Sequence, residues 1–128
     1  MKITKIILFL LMTISIACEN KPKYESITLI DSKEMLTLMQ NQDVQLVDVR
    51  TVREFNEHYI KGAENIVFDE NFEEKLKDLN KDKPIIVYCK IGGRSARCAD
   101  ILAKKGFKKI YDLKGGISQW MKDRNEVQ

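Results

Sequence analysis

Ile85-Ile86-Val87-Tyr88-Cys89-Lys90-Ile91-Gly92-Gly93-Arg94-Ser95 is the stretch on which the reading of this chain turns. Its first four residues are apolar, the composition of a strand buried on both faces. They run directly into Cys89. Ser95 to Lys105 then reads as a helix, stopped by Gly106. A strand, tight loop and helix in this order predict an α/β sheet, and in such sheets ligands bind at the carboxyl ends of the strands. Two glycines allow a loop whose backbone N–H groups converge on one spot. The helix start adds unpaired N–H groups and the positive end of a dipole. Such surroundings favour a thiolate at Cys89, and the same donors would stabilise a persulfide or an oxyanion. Arg94 places a positive charge beside the loop.

Outward from this junction, strand and helix patterns alternate. Toward the N-terminus lie a turn at Lys81-Asp82-Lys83-Pro84 and strand patterns at Ser26–Ile30, Gln45–Val49 and Ala63–Val67. Asp31 with Glu34 and Thr51 with Glu54 have capping-box spacing, and open helices to about Gln40 and about Glu57. Asn71 with Glu74 has the same spacing and predicts a third helix ending near Leu79. Toward the C-terminus, Ile110–Leu113 is a last strand. Gly115-Gly116 breaks the chain before a short helix around Trp120.

With 128 residues, 44% hydrophobic and 32% charged, the chain is large enough for one domain and its own core. Formal net charge is +3. Lys2 and Lys5 lie in an acid-free opening segment; without them 20 bases face 19 acids. A nearly neutral domain gives no field for nucleic acid. Lys104, Lys105, Lys108 and Lys109 read as a solvated helix end and loop. No Cys/His set has zinc-ligand spacing, no loop carries the P-loop lysine, and no cofactor is expected.

The first 17 residues have the form of a signal peptide: a basic start, an apolar run from Ile6 to Ile16, then small residues before Cys18. Ser15-Ile16-Ala17-Cys18 resembles a lipobox, with Ser15 where Leu is usual. It implies lipidation of Cys18 and a tether over residues 18–25. The protein would then be exported and anchored at a membrane surface, facing the periplasm or the cell exterior. Ordinary cleavage near Ala17 and an uncleaved anchor are the alternatives.

Four ordered stretches carry a family resemblance. Cys89 to Ser95 resembles the active-site loop of the rhodanese-like family. Leu46-Val47-Asp48-Val49-Arg50 with Glu54-Phe55 is similar to that family's first signature, and Ile60 to Ile66 is similar to a second. Leu113-Lys114-Gly115-Gly116 through Trp120 resembles its closing motif. The matches span about 75 residues. They imply one domain, about residues 26–124, with a central parallel five-stranded sheet flanked by helices on both faces. They also imply a sulfurtransferase in which Cys89 takes a sulfane sulfur from a small anionic donor such as thiosulfate. The persulfide would pass it to a thiol, to cyanide or to a protein acceptor. In this reading the amides of Lys90, Ile91, Gly92, Gly93, Arg94 and Ser95 bind the persulfide or the donor's oxyanion, and Arg94 positions the donor. Asp48 and Arg50 form a structural or loop-orienting ion pair. The chain departs from the family at His58-Tyr59, where Gly-His is usual, at Lys61 for Pro, and at Ile91, which would narrow the donor pocket.

Plainer readings stand beside these. Cys98 fits core packing, with a resolving thiol as the alternative. His58 fits an exposed helix end, Arg97 a surface salt bridge or added field, and Trp120 and Tyr111 packing. A phosphatase or arsenate reductase of related fold needs five residues between cysteine and arginine, and here four separate Cys89 from Arg94. A persulfide carrier or redox module at the membrane needs the same reactive Cys89, and the sequence does not separate it from an enzyme.

Overall fold

The computed structural model describes residues 22–128. The signal segment 1–17, Cys18 and the first part of the 18–25 tether lie outside the described residues. Five strands form one parallel sheet: β1 (Ile27–Ile30), β2 (Gln45–Asp48), β3 (Glu64–Asn65), β4 (Ile85–Tyr88) and β5 (Ile110–Leu113), in the order β1-β5-β4-β2-β3. The helices are α1 (Ser32–Asn41), α2 (Val52–Glu57), α3 (Phe72–Lys75, continued as a 3₁₀ turn over Leu76–Asp78), α4 (Gly93–Lys104) and α5 (Gly116–Lys122). This is the single α/β domain with a five-stranded parallel sheet that the sequence implied.

The sheet is covered on both faces, as a parallel sheet must be. Its side chains alternate with period two. Ile85, Val87 and Cys89 of the central segment pack with Val47, Ile110, Cys98, Ala99 and Leu102 under α4. Ile86 and Tyr88 pack on the other face with Met35, Leu113, Ile117 and Trp120, under α1 and α5. All four β4 residues are fully buried, which accounts for the unbroken apolar run.

Two predicted capping boxes form. Asp31 and Glu34 exchange hydrogen bonds of 2.8 Å each way. Thr51 Oγ1 accepts from the Glu54 N–H at 3.2 Å, and Glu54 accepts from the Thr51 N–H at 3.0 Å. The third does not form. Asn71 makes no side-chain cap; its backbone N–H, which Glu74 would take in a box, is taken by Asp69 Oδ1 at 2.9 Å, and α3 tightens to 3₁₀ after one turn. The strand expected over 63–67 is shorter: it pairs with β2, its single neighbour, at Glu64 and Asn65. α4 begins at Gly93, ahead of the expected Ser95. The packed unit also reaches beyond 26–124: Tyr24 packs onto the core, and Gln128 and Tyr59 exchange backbone hydrogen bonds of 2.8 and 3.1 Å.

Candidate active site

Cys89 follows β4 directly, so the central strand delivers its sulfur to the carboxyl edge of the sheet. The chain then has to reverse into α4 within three residues. Gly92 makes this possible with φ +117°, a left-handed conformation closed to most side chains. The turn aims the Gly92 N–H at Cys89 Sγ, 3.1 Å away. The sulfur is therefore recessed, with the residue 1% exposed, and packed beside Cys98 and Ala99, yet the following backbone faces it. Of the six loop amides proposed as sulfur ligands, Gly92's is the one at hydrogen-bond distance from Sγ; α4 begins one residue later.

The outward side of the loop is held by α5. The Ile117 N–H donates to the Cys89 carbonyl at 2.9 Å and the Ser118 N–H to the Lys90 carbonyl at 3.0 Å. These are orphan donors of a helix start, and they satisfy the two loop carbonyls. The approach is so close that a Cβ on Gly116 would lie 2.4 Å from the Cys89 carbonyl oxygen. The Gly115-Gly116 pair, read from sequence as a chain break, is thus part of the site's scaffold.

Ser95 and Asp112 lie beneath the loop. Ser95 Oγ donates to Asp112 Oδ1 at 2.6 Å, and the Cys89 thiol is 3.6 Å from Ser95 Oγ. Both residues are buried. Burial pushes the Asp112 carboxyl up to about 6, against the opposing pull of the Ser95 hydroxyl. Carrying its charge at neutral pH costs on the order of 3 kcal/mol. Asp112 was missed by the sequence reading. The signal available was an acid at the third place of a four-residue buried strand.

Arg94 leaves the first turn of α4 toward α2, where both its terminal nitrogens donate to Glu54, at 2.8 and 2.9 Å. The Arg94 hydrogen bonds, with those of Thr51 opposing the effect of burial, hold the Glu54 carboxyl down to about 2. The arginine's charge at the site is shared with this carboxylate. Ile91 is 72% exposed and Lys90 is exposed, so the Ile91 side chain points out of the loop instead of filling it.

Asp48 and Arg50 form the expected ion pair, buried at the end of β2. Nε bonds both carboxylate oxygens at 3.1 and 3.0 Å, and Nη2 bonds Oδ2 at 2.7 Å. Nη2 also donates to the His58 carbonyl at 2.6 Å, so His58 serves this cluster through its backbone, at the C-cap of α2. The guanidinium stands over the Tyr88 ring. Cys98 is fully buried in the core, and burial together with the nearby Cys89 and Asp112 pushes its thiol well above the ordinary range. Arg97 lies over the Phe68 ring, 5.0 Å from its centre, a cation–π contact in place of the salt bridge that the sequence suggested. Trp120 is in the core, its Nε1 donating to the Glu126 carbonyl at 2.9 Å.

This geometry agrees with what the chain resembles. The family model described as "Rhodanese-like domain" matches residues 31–123. A thiosulfate sulfurtransferase GlpE of Glaesserella parasuis is 30% identical over 104 residues, covering 81% of this chain and 95% of that one. A tRNA uridine(34) hydroxylase of Pelagibacter ubique is 33% identical over 114 residues, covering 88% of this chain but 36% of its own length. The crystal structure of a rhodanese-related protein from Thermoplasma volcanium superposes with a TM-score of 0.70 at 29% identity, covering 77% of this chain and 95% of that one. Family model, relatives and fold converge on the segment that holds Cys89 at the end of β4, and the chain belongs to the rhodanese-like domain family.

Proposed function

We propose that this protein is a sulfurtransferase that carries sulfane sulfur on Cys89. The observation that carries the reading is the Gly92 N–H set 3.1 Å from a cysteine sulfur at the start of α4, a donor placed to stabilise a thiolate or persulfide. In the first half-reaction the Cys89 thiolate attacks the outer sulfur of a donor such as thiosulfate. The Sγ–S bond forms, the donor's S–S bond breaks, and its electron pair leaves with sulfite. In the second, a thiol or cyanide attacks the outer persulfide sulfur and Cys89 leaves as thiolate. A recessed sulfur suits a donor that presents a single protruding sulfur atom.

The test is intact-mass analysis after thiosulfate treatment, then after an acceptor. A gain of one sulfur atom per chain, lost on adding thiol or cyanide with turnover, is expected. No adduct on the wild type sinks the reading. An adduct released only to a cognate protein identifies a persulfide carrier instead of an enzyme. The four-residue spacing from Cys89 to Arg94 weighs against phosphoryl transfer.

Arg94 supports the donor only by sharing its guanidinium with Glu54. Arg94→Ala should raise the thiosulfate KM roughly tenfold, about 1.4 kcal/mol of lost binding. Melting should change little, because a partly exposed pair is worth about 1 kcal/mol at most. Glu54→Gln should lower the KM by releasing the arginine. Steady-state constants unchanged in both variants would leave Arg94 a purely structural tie between α2 and α4.

We further infer, from Ser15-Ile16-Ala17-Cys18 and the apolar run before it, that the protein is exported and held at a membrane by a lipidated Cys18. A Cys18→Ala variant should move from the membrane fraction to the soluble extract. Unaltered partitioning would favour an uncleaved anchor.

A further inference from the structure

Two carboxylates are buried among the described residues, and they are treated differently. Asp48 is neutralised by Arg50 at 2.7 Å. Asp112 meets a serine hydroxyl, and among the described residues no cation lies at ion-pair distance from it. A carboxylate left unpaired in a core is costly. An asparagine there could accept the same serine hydrogen bond without the charge. What only a carboxylate offers at this place is the capacity to take up a proton.

The hydrogen bonds say whose proton it is. Ser95 Oγ gives its hydrogen to Asp112 Oδ1 at 2.6 Å, and Ser95 Oγ itself accepts from the Cys89 thiol at 3.6 Å. While Ser95 is committed to Asp112, it can only accept from the sulfur. We propose that Asp112 takes the Cys89 proton through Ser95, and that this transfer turns Ser95 from an acceptor into a donor toward the sulfur. The inference rests on the sulfur-transfer reading and names a positioning residue for it.

The step balances. The Cys89 S–H bond breaks as an O–H bond forms on Ser95 Oγ; the hydroxyl's original hydrogen passes to Asp112 Oδ1. One proton moves along each link, no electron changes owner, and one negative charge shifts from carboxylate to sulfur. The product is a thiolate held by two donors, the Gly92 N–H and the Ser95 hydroxyl, beside a neutral acid. When Cys89 leaves as thiolate at the end of a cycle, the reverse shift restores the resting state.

Because burial pushes the Asp112 carboxyl up to about 6, it is ionised and able to accept above about that pH, and already protonated below it. Other charged or titratable groups face this cluster. On α4, Cys98 is held neutral by burial, Arg94 is engaged by Glu54, and Arg97 covers Phe68. Lys23, Asp100 and Lys114 share with Asp112 the walls of a groove of about 970 Å³ between α4 and the β1–β5 edge. None of them bonds Ser95 Oγ, whose polar partners are Cys89, Asp112 and the Gly92 carbonyl.

The experiment follows Cys89 alkylation by iodoacetamide between pH 5 and 9 in the full chain, read by peptide mass mapping. It compares wild type, Asp112→Asn, Ser95→Ala and the double variant, with melting curves as a check on folding. Asp112→Asn should slow alkylation at pH 7 about tenfold and remove the inflection near the pH where Asp112 titrates. Ser95→Ala should do the same without a carboxylate change, and the double variant should be no slower than either single one. An Asp112→Asn profile superimposing on wild type, or single effects that multiply in the double variant, would overturn the relay. Alkylation needs no sulfur donor, so these results are separate from the thiosulfate adduct: loss of the adduct alone refutes sulfur transfer, and an unchanged profile alone refutes the relay.

Discussion

Replacing Cys89 by serine should abolish sulfur uptake while leaving the protein folded. A serine oxygen at this place cannot form the S–S bond on which the transferred atom rides, and a hydroxyl is not ionised near neutral pH as a thiol can be. The mutant hydroxyl would still accept the Gly92 N–H that now meets the sulfur, so no buried donor is orphaned, and stability should stay within about 1 kcal/mol of wild type. The second thiol among the described residues does not rescue the function. Cys98 is fully buried on α4, and burial holds it protonated. Thiosulfate treatment followed by intact-mass analysis should therefore show one added sulfur on the wild type and none on Cys89→Ser. An equal adduct on the mutant would move the chemistry to another residue and remove the basis of the proposed function.

The largest loss of stability is expected from Asp48→Ala. The substitution removes the acceptor of three side-chain hydrogen bonds and one backbone hydrogen bond from Arg50, which is 2% exposed. The guanidinium is then left with the His58 carbonyl and the Tyr88 ring. Stranding one partner of a buried ion pair costs about 3–5 kcal/mol, which for a domain of this size lowers Tm by roughly 10 °C or more. Truncating both partners, as in Asp48→Ala with Arg50→Met, should recover part of that loss, because no charge remains stranded. Chemical denaturation of the two variants checks this. Equal destabilisation by single and double changes would mean that the pair acts through its shape and not its charge. The pair ties the end of β2 to the turn after α2. The adjoining Asn65 side chain binds the backbone carbonyls of Asp48 and Arg50, so the whole carboxyl edge beside Cys89 should loosen with it.

The two capping boxes that form, at Asp31 and Thr51, were legible because each closes within four residues and needs no tertiary partner. The Asn71 box lost its Glu74 half to a neighbour two residues away, since Asp69 takes the Asn71 N–H, and the Asn71 side chain makes no cap of its own. The pairing of Asp48 with Arg50 was expected from the family resemblance of the first signature, and the structure forms it. The Arg94 charge was foreseen beside the loop; its capture by Glu54, 40 residues away, was not.

By itself the sequence determined the alternating α/β order, the buried strand over Ile85–Tyr88, the loop that follows it and the cysteine at its head. These depend on side-chain period, glycine conformation and helix-start chemistry, all local properties of the chain. The tertiary structure decided what meets that loop. The order β1-β5-β4-β2-β3 sets β5 beside β4, which brings Asp112 beneath Ser95 and the start of α5 against the Cys89 carbonyl. Contacts between residues 17 to 40 positions apart depend on which strands become neighbours, a choice made by burial of the whole sheet and not by any one segment.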